Sequence, residues 1–141
     1  MKIGIVVFPG SNCDNDLYIA FAKQKLYEVS FLWHKDPNLP KDLDLCAIPG
    51  GFSFGDYLRT GAIASKSPII NAIIKFANSG GFILGICNGF QILCETGLLP
   101  GVLLRNRSTK FVCKNQMLQV CNSNTSFSKL YKENEEVNFP I

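Results

Sequence analysis

Apolar positions along the chain fall into short runs punctuated by glycine, proline and polar residues. Ile3–Phe8 is nearly continuous and apolar, as in a strand buried on both faces. Pro9-Gly10-Ser11-Asn12 predicts a turn, with Ser11, Asn12 or Asp14 placed to cap a helix and Asp14 and Asp16 at its start. Leu17, Ala20, Phe21 and Leu26 mark an amphipathic helix ending near Gln24–Leu26. Tyr27–Trp33 predicts a second strand, Pro37–Asp42 a loop, and Leu43–Ile48 a third strand running into Pro49-Gly50-Gly51. Pro68–Ala77 reads as a helix with proline in its first turn, closed by Ser79-Gly80-Gly81. Phe82–Ile86 predicts a fourth strand buried on both faces. Phe90, Ile92, Leu93 and Cys94 then recur at helical spacing up to Gly97. Such alternation predicts an α/β fold, a mostly parallel sheet with helices on both faces.

Beyond Gly101 the pattern changes. Val102–Leu104, Phe111–Cys113, Met117–Cys121 and Val137–Ile141 read as short strands, the middle two an antiparallel hairpin appended to the sheet. At 141 residues, 47% hydrophobic and 18% charged, the chain is expected to be a single folded domain, residues 1–141. A net charge of +3, dispersed along the chain, argues against a nucleic-acid partner. No apolar run reaches the length of a membrane span, and Met1-Lys2 does not open a signal peptide. Six cysteines without a CxxC pair, beside the single histidine His34, argue against zinc. They fit reduced thiols and a cytoplasmic location.

The candidate chemistry centres on Gly85-Ile86-Cys87-Asn88-Gly89, where strand, turn and helix meet. This is the pattern of a nucleophile elbow with sulfur in place of the serine oxygen. A helix N-terminus favours the thiolate and offers N–H groups to a developing oxyanion. The competing reading is an inert structural cysteine. Pro49–Ala64 (PGGFSFGDYLRTGAIA) leaves the third strand through two glycines and carries Ser53, Asp56 and Arg59. It falls at the same sheet edge, where ligands of open parallel sheets bind. Gly51-Phe52-Ser53-Phe54-Gly55 also fits the serine elbow pattern, but no helix pattern follows Ser53, so Cys87 is the preferred nucleophile. The glycine loop is better read as a source of backbone N–H donors.

Four stretches, PGSNCDND, PGGFSFGDYLRTGAIA, GICNGFQILCETGLLPG and LLRNRSTKFVCK, carry a resemblance that covers nearly the whole chain. It resembles the glutaminase subunits of phosphoribosylformylglycinamidine synthases, within the class I amidotransferase family. The resemblance implies a flavodoxin-like fold with antiparallel additions after residue 101. It implies that Cys87 attacks the carboxamide of glutamine and forms a glutamyl thioester. Gly50, Gly51, Phe52 and Asn88 would supply the oxyanion donors, and Gln91 would join them in binding substrate. Ammonia would pass to a large synthetase subunit, for the ATP-dependent amidination of formylglycinamide ribonucleotide in purine biosynthesis. A small accessory subunit is a further implied partner. ATP and magnesium belong to the synthetase, and no cofactor is expected in this chain, which has no Walker loop or GxGxxG. The family's catalytic histidine and glutamate lie beyond the point equivalent to Ile141, so the chain reads as C-terminally truncated. His34, at the end of the second strand, is expected to be a partly exposed aromatic too far from Cys87 to act as base. Arg105, Arg107, Lys110 and Lys114 form a basic cluster, either a solvated face or a docking surface for the synthetase. Two alternatives stand beside the enzyme reading. One is a non-catalytic partner of the synthetase. The other is an elbow-bearing cysteine hydrolase, which would set an acidic residue beside the thiol; none flanks Cys87.

Overall fold

Four short strands pair in parallel in the computed structural model, which describes residues 1–141. They are β1 (Lys2–Val7), β2 (Glu28–Trp33), β3 (Leu45–Ile48) and β4 (Phe82–Gly85). Their order is β2-β1-β3-β4, the flavodoxin-like order. In register, Ile3 lies between Val29 and Leu45, and Leu45 lies opposite Phe82. Helices α1 (Asp14–Ala22) and α2 (Pro68–Asn78) lie in the crossovers, and α3 (Asn88–Glu95) follows β4.

The two-residue period of a strand divides the core into two. Ile3, Ile5, Leu45 and Ala47 point to one face, where Leu17, Tyr18 and Phe21 of α1 pack on them. Val6, Cys46 and Ile48 point to the other, against Ile69, Ile70 and Ile73 of α2 and Ile92 and Leu93 of α3. Both faces are covered, so β1 and β3 read as unbroken apolar runs. β4 departs from the expected double burial. It is the outermost strand of this sheet, and Phe82 at its start is exposed.

Helix α1 is shorter than its apolar spacing suggests. It ends at Ala22, and Lys25 takes a left-handed φ of 53°, which leaves Leu26 exposed. Its N-cap is Cys13 and makes no side-chain cap bond. The hydroxyl of Ser11 instead accepts the Phe8 N–H at 3.3 Å. Asp14 and Asp16 occupy the first turn, where carboxylates favour the helix dipole.

The chain divides into two compact units, residues 1–103 and 104–141. In the second, β5 (Asn115–Gln119) pairs antiparallel with β6 (Glu136–Pro140), Met117 opposite Asn138. The expected hairpin of Phe111–Cys113 with Met117–Cys121 does not form. The partner of the 115–119 strand comes from the chain's last residues, and the pair is a two-stranded sheet of its own, not an extension of the parallel one. Val102–Leu104 and Phe111–Cys113 are irregular and mostly exposed, since no neighbouring strand takes up their backbone groups.

Candidate active site

Cys87 is the N-cap of α3 with φ 52° and ψ −110°. A non-glycine residue there stores strain of about 1–3 kcal/mol, which persists only where the surroundings hold it. Here they do. The Ile86 N–H donates to the Ile48 carbonyl at 3.0 Å, Gly89 N–H to the Ile86 carbonyl at 2.8 Å, and Gln91 N–H to the Cys87 carbonyl at 3.2 Å. The flanking glycines are required by packing. A Cβ on Gly85 would lie 2.6 Å from Leu93 Cδ1, and one on Gly89 would collide with the Ile48 carbonyl. The thiol is exposed at the tip of this turn. By contrast Cys46 lies in the core, and burial pushes its thiol up to about 12.

The loops after β1 and β3 close over the same edge. Phe52 N–H donates to the Gly10 carbonyl at 2.9 Å and Phe54 N–H to the Pro9 carbonyl at 2.6 Å. Gly51 takes a φ of 129° with Asn12 against it; a Cβ there would lie 2.5 Å from Asn12 Oδ1. Gly50 faces the elbow, and a Cβ on it would lie 3.4 Å from Cys87 Cβ and 3.6 Å from Cys13 Sγ. Phe52 contributes less than its place in the motif suggests, because its N–H is already bound by Gly10 and its ring is exposed.

Asn88 is buried and ties the elbow to the loop. Its Oδ1 accepts the Ser53 N–H at 3.2 Å. Its Nδ2 donates to Thr60 Oγ1 at 3.0 Å and to Gln91 Oε1 at 3.1 Å, with Asp56 Oδ1 at 3.4 Å. The Thr60 hydroxyl lies 2.7 Å from Gln91 Oε1 and 3.0 Å from Asp56 Oδ1. Gln91, read from sequence as substrate-binding, thus spends its carbonyl oxygen within the loop–helix network. Farther along, Arg59 makes a two-pronged bond to Glu95 at 2.8 and 2.7 Å. That guanidinium holds the Glu95 carboxyl below its ordinary range. The loop itself carries Phe54, Asp56 and Leu58 at positive φ. Thr60 and the Arg59–Glu95 pair were not legible as site residues, since nothing in a single sequence shows that a loop threonine faces a helix.

Ser53 does not compete as a nucleophile. It opens a 3-10 turn rather than a helix, is 2% exposed, and its Oγ has no partner. His34 corrects an expectation: it is buried, 5% exposed, not partly exposed. Its ring sits among Trp33, Phe54 and Phe8 at centroid distances of 4.5, 5.5 and 5.9 Å, and Nδ1 is 3.3 Å from Ser67 Oγ. The rings that enclose it also push its pKa below the usual value, helped by Lys35. It directly follows β2, three strand positions from β4 and so roughly 14 Å from the elbow strand. No group of three or more His, Cys, Asp or Glu side chains could hold a metal ion. No helix is long and apolar enough to cross a membrane.

A parallel β2-β1-β3-β4 sheet with an exposed cysteine in a strained strand–helix turn, faced by a glycine loop, defines the amidotransferase type of α/β fold. The profile of the family described as CobB/CobQ-like glutamine amidotransferase domain matches residues 1–141, and the chain belongs to that family. Among curated proteins it is similar to phosphoribosylformylglycinamidine synthase subunit PurQ of Ruegeria sp., 53% identical over 141 residues, all of this chain and 63% of the relative. The protein of the same name from Zymomonas mobilis is 51% identical, over all of this chain and 64% of that one. Among solved structures, a chain of "Structure of PurLQS from Thermotoga maritima" superposes with a TM-score of 0.86 at 46% identity, over 99% of this chain and 65% of that chain. The chain therefore spans less than two thirds of the length of the relatives it matches.

Proposed function

We propose that this chain carries the nucleophile and oxyanion half of a glutaminase, the ammonia-producing subunit of a phosphoribosylformylglycinamidine synthase. The observation that carries it is the elbow: an exposed Cys87 in a strained turn at the start of α3, with the open side of Gly50 beside it. The Cys87 thiolate attacks the carboxamide carbon of glutamine. The tetrahedral oxyanion is met by the Asn88 N–H, which at the first helical position has no acceptor within the helix. The N–H of Gly51 is the second donor, since that of Phe52 is bound to Gly10. Collapse expels ammonia and leaves a glutamyl thioester, which water hydrolyses to glutamate.

His34 is buried and its strand lies roughly 14 Å from the elbow strand at about 4.8 Å per strand spacing, so it does not serve as the base for these steps. In the resembling family a C-terminal histidine and glutamate fill that role. Ammonia passes to a large synthetase subunit that binds ATP and magnesium, and a small accessory subunit completes the assembly. The exposed basic residues Arg105, Arg107, Lys110 and Lys114 are the docking surface offered to the large synthetase subunit. Titration with a glutamine-mimicking electrophile, followed by peptide mapping, tests the reading. Cys87 is expected to be labelled first, Cys46 not at all, and Cys87→Ala to abolish the specific label. Labelling spread evenly over the exposed Cys113 and Cys121 would refute it.

A further inference from the structure

Two cysteines, not one, approach Gly50. Its missing side chain leaves a gap bordered by Cys87 Cβ at 3.4 Å and Cys13 Sγ at 3.6 Å from where a Cβ would stand. Cys13 Sγ is therefore at most about 7 Å from Cys87 Cβ, and the two side chains must turn toward each other beside Gly50 before a sulfur–sulfur bond of about 2 Å can form. Neither residue is held in a strand or helix interior. Cys13 is the N-cap of α1 and half-buried, and Cys87 is the N-cap of α3 and exposed. No side-chain hydrogen bond anchors either thiol, and both residues border the open side of Gly50. The other thiols are differently placed. Cys46 is in the core, Cys94 is half-buried on α3, and Cys113 and Cys121 belong to the second unit.

We propose that Cys13 is a resolving cysteine for Cys87, so that a peroxide converts the pair into a reversible disulfide across Gly50. In the first step the Cys87 thiolate attacks a peroxide oxygen, the O–O bond breaks, hydroxide leaves, and Cys87 becomes a sulfenic acid. In the second the Cys13 thiolate attacks the Cys87 sulfur, the S–O bond breaks, and the departing hydroxide takes up a proton as water. Two thiols give up two electrons and one peroxide becomes two waters. A dithiol reductant reverses the result. The disulfide takes the elbow sulfur out of nucleophilic service and spares it the irreversible sulfinic state. The pairing depends on the placement of two sulfurs and not on what Cys87 does to a substrate.

The test uses the reduced chain treated with a small molar excess of hydrogen peroxide, quenched with an alkylating agent and read by intact mass and peptide mapping. Glutamine plays no part in it, so a failed glutaminase assay leaves the result readable. The expected product lacks two hydrogens, links the Cys13 and Cys87 peptides, and shows roughly tenfold less alkylation at Cys87, recovered with dithiothreitol. In Cys13→Ser the same treatment is expected to carry Cys87 to sulfinic acid, which dithiothreitol does not reverse. Wild-type chain in which Cys87 becomes sulfinic while Cys13 is recovered alkylated would overturn the proposal. So would Cys87 linked mainly to another cysteine, or a Cys87 that stays reduced. These outcomes are read on the wild-type chain and do not depend on the variant's folding.

Discussion

At Gly89 a single hydrogen atom decides whether the elbow can exist. The Ile48 carbonyl occupies the space where a Cβ would go, and it also receives the Ile86 N–H. Gly89→Ala is therefore expected to destabilise the chain by about 3 kcal/mol, the upper end of what overpacking costs, because backbone on both sides must move. Urea unfolding monitored by circular dichroism measures it, and a change under about 1 kcal/mol would contradict the packing described. Cys87, Gly85 and Gly89 were legible because strand, turn and helix lie within one short stretch of sequence. The Arg59–Glu95 bond was not, since 36 residues separate its ends and only the fold brings them together. The motif likewise suggested Phe52 as an oxyanion donor. Which N–H of a glycine turn is free depends on a loop forty residues earlier, at Gly10.

The elements were legible where burial is two-sided. β1 and β3 stand out as apolar runs because helices cover both faces, whereas the end of α1 was misplaced by an exposed Leu26. Beyond residue 101, strand patterns outnumber strands, because exposed apolar residues such as Leu104 and Phe111 mimic alternation without a partner. The end of β2 offers a measurable consequence. His34 is enclosed by three aromatic rings, its Nε2 lacks a partner, and its pKa lies below the ordinary 6.5. As pH falls, the unfolded chain binds this proton first, so the stability it contributes is present above 6.5 and lost below it, down to the folded pKa. His34→Phe is expected to flatten the fall in melting temperature between about pH 7.5 and 5 relative to wild type. The Cys87 labelling rate of that variant should stay close to wild type. Equal pH slopes in the two proteins would show that His34 takes up its proton at the same pH folded and unfolded, and would contradict the burial described.

The whole molecule is uneven in how firmly it is held. The first unit contains every buried apolar side chain of the core, and the second has only a two-stranded sheet with largely exposed residues. Hydrogen exchange is expected to be slowest at the β1 and β3 amides and to have run to completion across 104–141 long before. Protection of β5 and β6 equal to that of β1 would contradict this.

Parallel pairing also has a temporal side. Ile3 must wait for Val29 and then Leu45, and Leu45 for Phe82, so no strand finds a partner among its near neighbours in sequence. Chains dominated by such distant pairings fold slowly. The elbow comes later still, because the Ile48 carbonyl that pins Ile86 and limits Gly89 belongs to β3, and β4 must dock on β3 first. Chemical competence should therefore be the last property to appear in a refolding time course. Pulses of electrophile given during refolding from urea are expected to mark Cys87 selectively only in the final kinetic phase, after most of the helical signal has returned.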